Sequence, residues 1–168
     1  MPADVPPPSI GYLLWHLALT WRVAIDRALA PVGLTNAQYA VLASLHGLSR
    51  AGARPSQREL ADFSGLEPMY VSKLVRALER AGLLRRAAHP ADPRAVELTL
   101  TRHGNEVVET AAATVRELHD RLLTPLGGIH STRSAELSEL LQSLRQHAVT
   151  VNSAPTPPDN NPPPRKPR

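Results

Sequence analysis

The chain of 168 residues contains no cysteine. Disulfides, thiolate chemistry, thiol-based redox sensing and cysteine-ligated zinc are therefore excluded. Its seven histidines, at 16, 46, 89, 103, 119, 130 and 147, include no i, i+4 pair that would present two imidazoles to one metal from one helix. They read as surface or locally hydrogen-bonded groups, and no metal or cofactor is expected. Equally missing are a Gly-rich phosphate loop, a nucleophile elbow and a metal-spaced His/Glu set, so no enzyme is expected. No apolar run approaches the length of a membrane span, and the N-terminal MPADVPPPS lacks the basic-then-apolar order of a signal peptide. A cytoplasmic chain without membrane contact follows. Lysine is scarce, at two of 19 basic residues, but an arginine preference carries no functional weight by itself.

What is present is mostly helical patterning with a modest positive charge, +4 at a pI near 10.1 and a mean hydropathy of −0.21. That balance favours a polyanionic partner without proving one. Residues 1–9 and 151–168 are rich in proline and small polar residues and read as disordered tails around one domain at 10–150. Ile10, Leu13, Leu14, Leu17, Trp21, Ile25 and Ala28 form one stripe at helical spacing, closed by Pro31 and Gly33. Thr35 with Gln38 is a capping box opening a helix to about Leu48, and Ser56 with Glu59 is a second, opening Gln57–Phe63. Beyond Leu100, Thr101 caps a long helix to about Leu123 with Val108, Val115, Leu118 and Leu122 on its apolar side. After the break at 125–128, a last helix carries Leu137, Leu140, Leu141, Leu144 and Ala148. The first, penultimate and last helices have apolar sides large enough to predict packing on a second copy. A larger monomeric core is the minority reading.

The segment from Ser56 to Leu100 carries the functional signal. A short capped helix leads through a turn at Gly65 into a second helix, with Glu67 as its cap and Pro68 at its first position. Val71, Leu74, Val75 and Leu78 repeat at i, i+3, i+4, i+7 and must face inward, which turns Met69, Tyr70, Ser72, Lys73, Arg76 and Arg80 outward. Gly82 ends the helix. Leu83–Ala88 and Ala95–Leu100 read as strands of a wing, with Val96, Leu98 and Leu100 on one face and Glu97 and Thr99 on the other. His89 to Arg94 forms the tip. This is the layout of a winged helix-turn-helix, a mainly α fold with a small β-wing and flanking dimerisation helices. It sets one helix in the major groove of DNA and a loop beside it. Met69 suits a thymine methyl, Tyr70 and Ser72 a phosphate or base, and Lys73 and Arg76 guanine or the backbone. Arg94 suits the narrow minor groove, with Asp92 as the carboxylate that pins it. Arg85 and Arg86 lie at the wing base, one of them near phosphate.

Residues 10–148 resemble the MarR family of bacterial transcriptional regulators. The resemblance rests on Gly33-Leu34-Thr35 with Gln38-Tyr39, on Pro55-Ser56-Gln57-Arg58-Glu59-Leu60-Ala61 and on Val71-Ser72-Lys73-Leu74-Val75. It continues through Glu79-Arg80-Ala81-Gly82-Leu83, Asp92-Pro93-Arg94 and Leu98-Thr99-Leu100-Thr101. It implies a homodimer with a DNA-reading part at about 35–100 and dimerisation helices at about 10–30 and 101–148. Such a dimer binds double-stranded DNA at a pseudo-palindromic operator, usually as a repressor released by a small, often aromatic molecule. The candidate DNA contacts are Ser56, Pro68, Met69, Tyr70, Ser72, Lys73, Arg76, Arg86, Asp92 and Arg94. The family's wing commonly reads Asp-x-Arg-Arg; here Ala95 follows Arg94, which removes one backbone contact. An effector pocket would lie between the dimer helices and the reading head, near Trp15, His16, Trp21, Arg22 and Tyr39, of which Trp21 and Tyr39 also suit the core.

Two other readings use the same fold. A DNA-architectural protein would show little sequence preference, steep salt dependence and no effector response. A winged helix serving protein–protein contact alone would have no use for Arg94, Lys73 and Arg76 in these positions.

Overall fold

The computed structural model describes residues 7–89 and 92–153, and the side chains of residues 89 and 92–95 lie outside the described set. The chain divides into two compact units, Met1–Arg121 and Leu122–Arg168. In the first, α1 (Ile10–Leu29) leads through a 3-10 turn into α2 (Asn36–Arg50), α3 (Gln57–Ser64) and α4 (Pro68–Arg80). These are followed by β1 (Leu84–His89), β2 (Asp92–Leu100) and α5 (Arg102–Leu122). The second unit holds a 3-10 turn, Thr124–Leu126, and α6 (Thr132–Ser153).

Local chemistry sets most helix starts. Both expected capping boxes are closed: Thr35 with Gln38 opens α2, and Ser56 with Glu59 opens α3. Each satisfies two backbone N–H groups that a helix start would otherwise leave unpaired. Thr101 accepts from the Gly104 amide at 2.9 Å and donates to the Gly82 carbonyl at 2.7 Å, so one hydroxyl starts α5 and ties it to the end of α4. Ser9, expected in the tail, accepts from the Tyr12 amide and is the cap of α1. α6 also outruns its expected end at residue 148. Thr150 and Ser153 donate to carbonyls one turn back, and the helix reaches Ser153.

The core of the first unit gathers Leu42, Leu45, Leu60, Val71, Val75, Leu78, Leu84 and Leu98, all fully buried, where α2, α3 and α4 meet the wing. Each such side chain contributes about 1.5–3 kcal/mol relative to exposure. At the end of α4 the Gly82 amide donates to the Glu79 carbonyl and the Leu83 amide to the Leu78 carbonyl, the paired bonds of a Schellman motif. Leu83, expected as the first strand residue, is taken up by that motif, and β1 begins at Leu84.

β1 and β2 pair antiparallel from Leu84↔Leu100 to Ala88↔Val96, then shift register before His89↔Asp92. The strands thus run past their expected limits. Asp92 and Arg94, expected in the tip turn, have backbones within β2, and residues 90 and 91 lie outside the described residues. The expected alternation of β2 fails at two places. Val96 is 39% exposed, and Glu97, expected outward, is 6% exposed. At Glu97 the reason is a third extended segment. Ser56 pairs with Glu97 as an isolated antiparallel bridge, and the Leu98 amide donates to the Pro55 carbonyl at 3.0 Å. Glu97 is thereby covered and meets Arg54 at 3.7 Å.

In the second unit, Ser134 is buried and donates to the Gly128 carbonyl at 2.7 Å, and Ser131 donates to the same carbonyl. These bonds set the start of α6 where Gly127 and Gly128 break the chain direction.

Candidate nucleic-acid interface

The reading helix is built as its sequence dictates. The Glu67 carboxylate accepts from the Tyr70 amide at 2.8 Å, and Pro68 occupies the first turn, where its missing N–H costs nothing. Gly65 lies at φ 68°, a left-handed conformation that closes the turn from α3 without a Cβ penalty. Val71, Leu74, Val75 and Leu78 are buried, which leaves Pro68, Met69, Tyr70, Lys73, Arg76 and Arg80 exposed and Ser72 half-buried. Met69 is 73% exposed. A methionine left this open at the start of a helix has no packing role in the chain itself, which suits contact with a partner.

The basic side chains of α4 lie along the helix. Arg76 donates to the Ser72 carbonyl at 3.2 Å and to the Ser72 hydroxyl at 3.1 Å. Arg80 donates to the Arg76 carbonyl. Ser72 keeps its own O–H as a donor. Ser56 is half-buried, and its oxygen accepts from the Glu59 amide at 3.2 Å, so its first duty is to cap α3. Its O–H also remains a donor. Asp92 and Arg94 contribute no described side-chain geometry.

Arg86, expected as a DNA contact, has a partner within the chain. Its Nε and Nη2 both donate to Glu79 Oε2, at 2.7 and 2.6 Å, so the guanidinium is turned onto α4. The pairing holds the Glu79 carboxyl below the usual carboxylate range and raises Arg86 further. In the sequence Glu79 stands only within a family motif and is not paired with Arg86, because no local spacing rule links a residue near the end of a helix to a strand residue beyond the turn.

The residues expected near an effector fall into smaller groups. The Trp15 and His16 rings meet edge-on at 4.6 Å, both exposed on α1, and Arg22 is exposed on the same helix. Trp21 is half-buried against His119 of α5, with ring centroids 5.5 Å apart. Tyr39 is half-buried; desolvation raises its phenol, and the charge of Arg116 opposes that rise. His119 was not singled out from sequence. Burial lowers its pKa, and among the described residues its Nε2 has no hydrogen-bond partner. Among the described residues no group of His, Asp and Glu is placed to hold a metal ion, and no helix is long and apolar enough to cross a membrane.

This geometry has counterparts. Residues 34–96, the reading head and most of the wing, match the MarR family. The chain is 37% identical over 113 residues to the HTH-type transcriptional regulator YdcH of Bacillus subtilis, across 67% of this chain and 77% of that one. It is 31% identical over 138 residues to an HTH-type transcriptional repressor of Mycobacterium tuberculosis, across 80% and 92% of the two chains. A crystal structure of a MarR-family regulator from Rhodococcus superposes with a TM-score of 0.69 at 30% identity, over 80% of this chain and 91% of that one. The repressor CouR bound to a 23-mer DNA duplex superposes with a TM-score of 0.70 at 29% identity, over 87% and 99%. A helix-turn-helix with one buried and one basic face, an attached wing and relatives of this length together assign the chain: it belongs to the MarR family of transcriptional regulators, DNA-binding proteins rather than enzymes.

Proposed function

We propose that this protein is a homodimeric repressor that acts in the cytoplasm, binds a pseudo-palindromic operator and is released from it by a small, aromatic effector. The observation that carries the reading is the two-sided character of α4. Its aliphatic residues are consumed by the core, while Met69, Tyr70, Lys73 and Arg76 stand exposed on a helix whose first turn faces solvent. Pro68, Met69, Tyr70 and Ser72 face base edges at the start of the helix, and Lys73 and Arg76 reach phosphate or guanine. Ser56, at the start of α3, donates to the backbone. Arg94 enters the minor groove, held by Asp92.

Dimerisation is supported by α1 and, separately, by α6. Leu13, Leu14 and Leu17 on the first and Leu140, Leu141 and Leu144 on the second are exposed, more apolar surface than a free helix leaves in water. A second copy covering them places two reading helices about one DNA turn apart. The effector role rests on the aromatic residues of α1 and α2, with Trp15, His16, Trp21, Arg22 and Tyr39 as its candidate contacts.

The test is fluorescence anisotropy with the duplex upstream of the protein's own gene against a scrambled duplex, across a salt series. Preference of about 10³-fold or more for the native duplex is expected of a specific regulator. Equal binding to both, with a steep salt slope, favours an architectural protein over a repressor. Release by added phenolic compounds tests the effector.

A further inference from the structure

Between α4 and β1 lies a cleft of about 440 Å³ lined by Lys73, Arg76, Arg80 and Arg86, with Glu79 as the carboxylate among them. That carboxylate is spent on one cation. Both Glu79–Arg86 contacts fall on the same oxygen, Oε2, at 2.6 and 2.7 Å, whereas Arg76 and Arg80 donate to carbonyls of their own helix. Arg86 is the member of the cluster that comes from the wing. Left alone, an arginine at the wing base next to the reading helix would be a ready phosphate ligand. Here its Nε and Nη2 edge is already engaged by a carboxylate, whose charge would also repel a phosphate brought beside it.

We propose that Glu79 limits the affinity of the interface for DNA: it holds Arg86 against α4 and so withholds one cation from the DNA backbone. The inference rests on the reading of α4 and the wing as the DNA interface. Phosphate contacts add affinity for every sequence equally, so a withheld contact lowers binding to operator and non-operator DNA alike and leaves the discrimination by the base-facing side chains as it is. Glu79 and Arg86 are each about one-third exposed, and partly exposed pairs contribute little to stability, so their removal leaves the fold in place.

The experiment titrates a fluorescent random-sequence duplex with full-length wild type, Glu79→Gln, Glu79→Ala and the double variant Glu79→Gln/Arg86→Gln over a KCl series, with melting curves in parallel. Both single variants should bind more tightly than wild type. Their log–log salt slope should steepen by about 0.9, the signature of one added phosphate contact. The double variant should return to the wild-type slope, and all four should melt within a few degrees of one another. An unchanged slope or weaker binding in the single variants makes Glu79 a mere brace of the wing and overturns the inference. An equal gain in the double variant also overturns it, because the gain would then come from lost negative charge and not from Arg86. Failure of the wild type to bind at low salt removes the DNA-binding reading itself, an outcome distinct from either.

Discussion

Gly104 shows how much a single residue carries when two backbones meet. It is buried in the first turn of α5, and a Cβ built there would overlap the Leu83 carbonyl oxygen. The same carbonyl accepts from the Thr101 amide at 3.1 Å, so it cannot move aside without breaking the tie between the end of α4 and the start of α5. Backbone gives way far less readily than a flexible side chain. Gly104→Ala should therefore cost about 3 kcal/mol, at the upper end of ordinary overpacking despite the better helix propensity of alanine. A urea titration checks this; an unchanged midpoint would mean that α5 shifts freely at its start. Nothing local marks Gly104 in the sequence, where it reads as one more residue of an amphipathic helix. Glu79 belongs to the same class. Its role is set by Arg86, a residue of another element, and not by its neighbours along α4.

At the level of elements, interactions confined to four consecutive residues are legible and the rest are not. Thr35 accepts from the Gln38 amide at 3.2 Å while Gln38 Oε1 accepts from the Thr35 amide at 2.9 Å. Thr35→Ala should remove about 1 kcal/mol, whereas Thr35→Asn should restore most of it. For a domain of this size that is a fall in melting temperature of roughly 3 °C. The side chain of Thr35 serves the start of α2 and is not among the candidate DNA contacts, so affinity of the folded variant for DNA should be unchanged, which anisotropy can check. The aliphatic repeat of α4 was legible for a similar reason: a period near 3.6 leaves one consistent inward face. The strands of the wing were not. Leu83 was claimed by the Schellman motif of α4, and Glu97 was covered by the extended segment at Pro55 and Ser56. Two-residue alternation presumes one buried face, and β2 has neighbours on more than one side.

For the whole molecule, the exposed apolar side of α1 is the feature that a lone chain leaves unexplained. Leu17 stands 51% exposed, with Leu13 and Leu14 beside it on the same helix. A glutamate at the centre of such a face would bury a charge in any dimer formed there, which costs several kcal/mol without a partner. Leu17→Glu should shift the protein to monomers in sedimentation velocity at micromolar concentration, with loss of tight operator binding. A dimer of unchanged mass would place the interface elsewhere.

The sequence by itself determined the order and type of nearly every element, the caps that start α2, α3 and α4, and the side of α4 that stays in solvent. All of these follow from contacts or periods that act within one or two turns of the chain. Only the tertiary structure decided that Arg86 is held by Glu79, that Glu97 is covered, that Gly104 must lack a side chain and that Trp21 meets His119. Each of these depends on which element lies beside which, and that is settled by burying the apolar faces of the helices and the wing together.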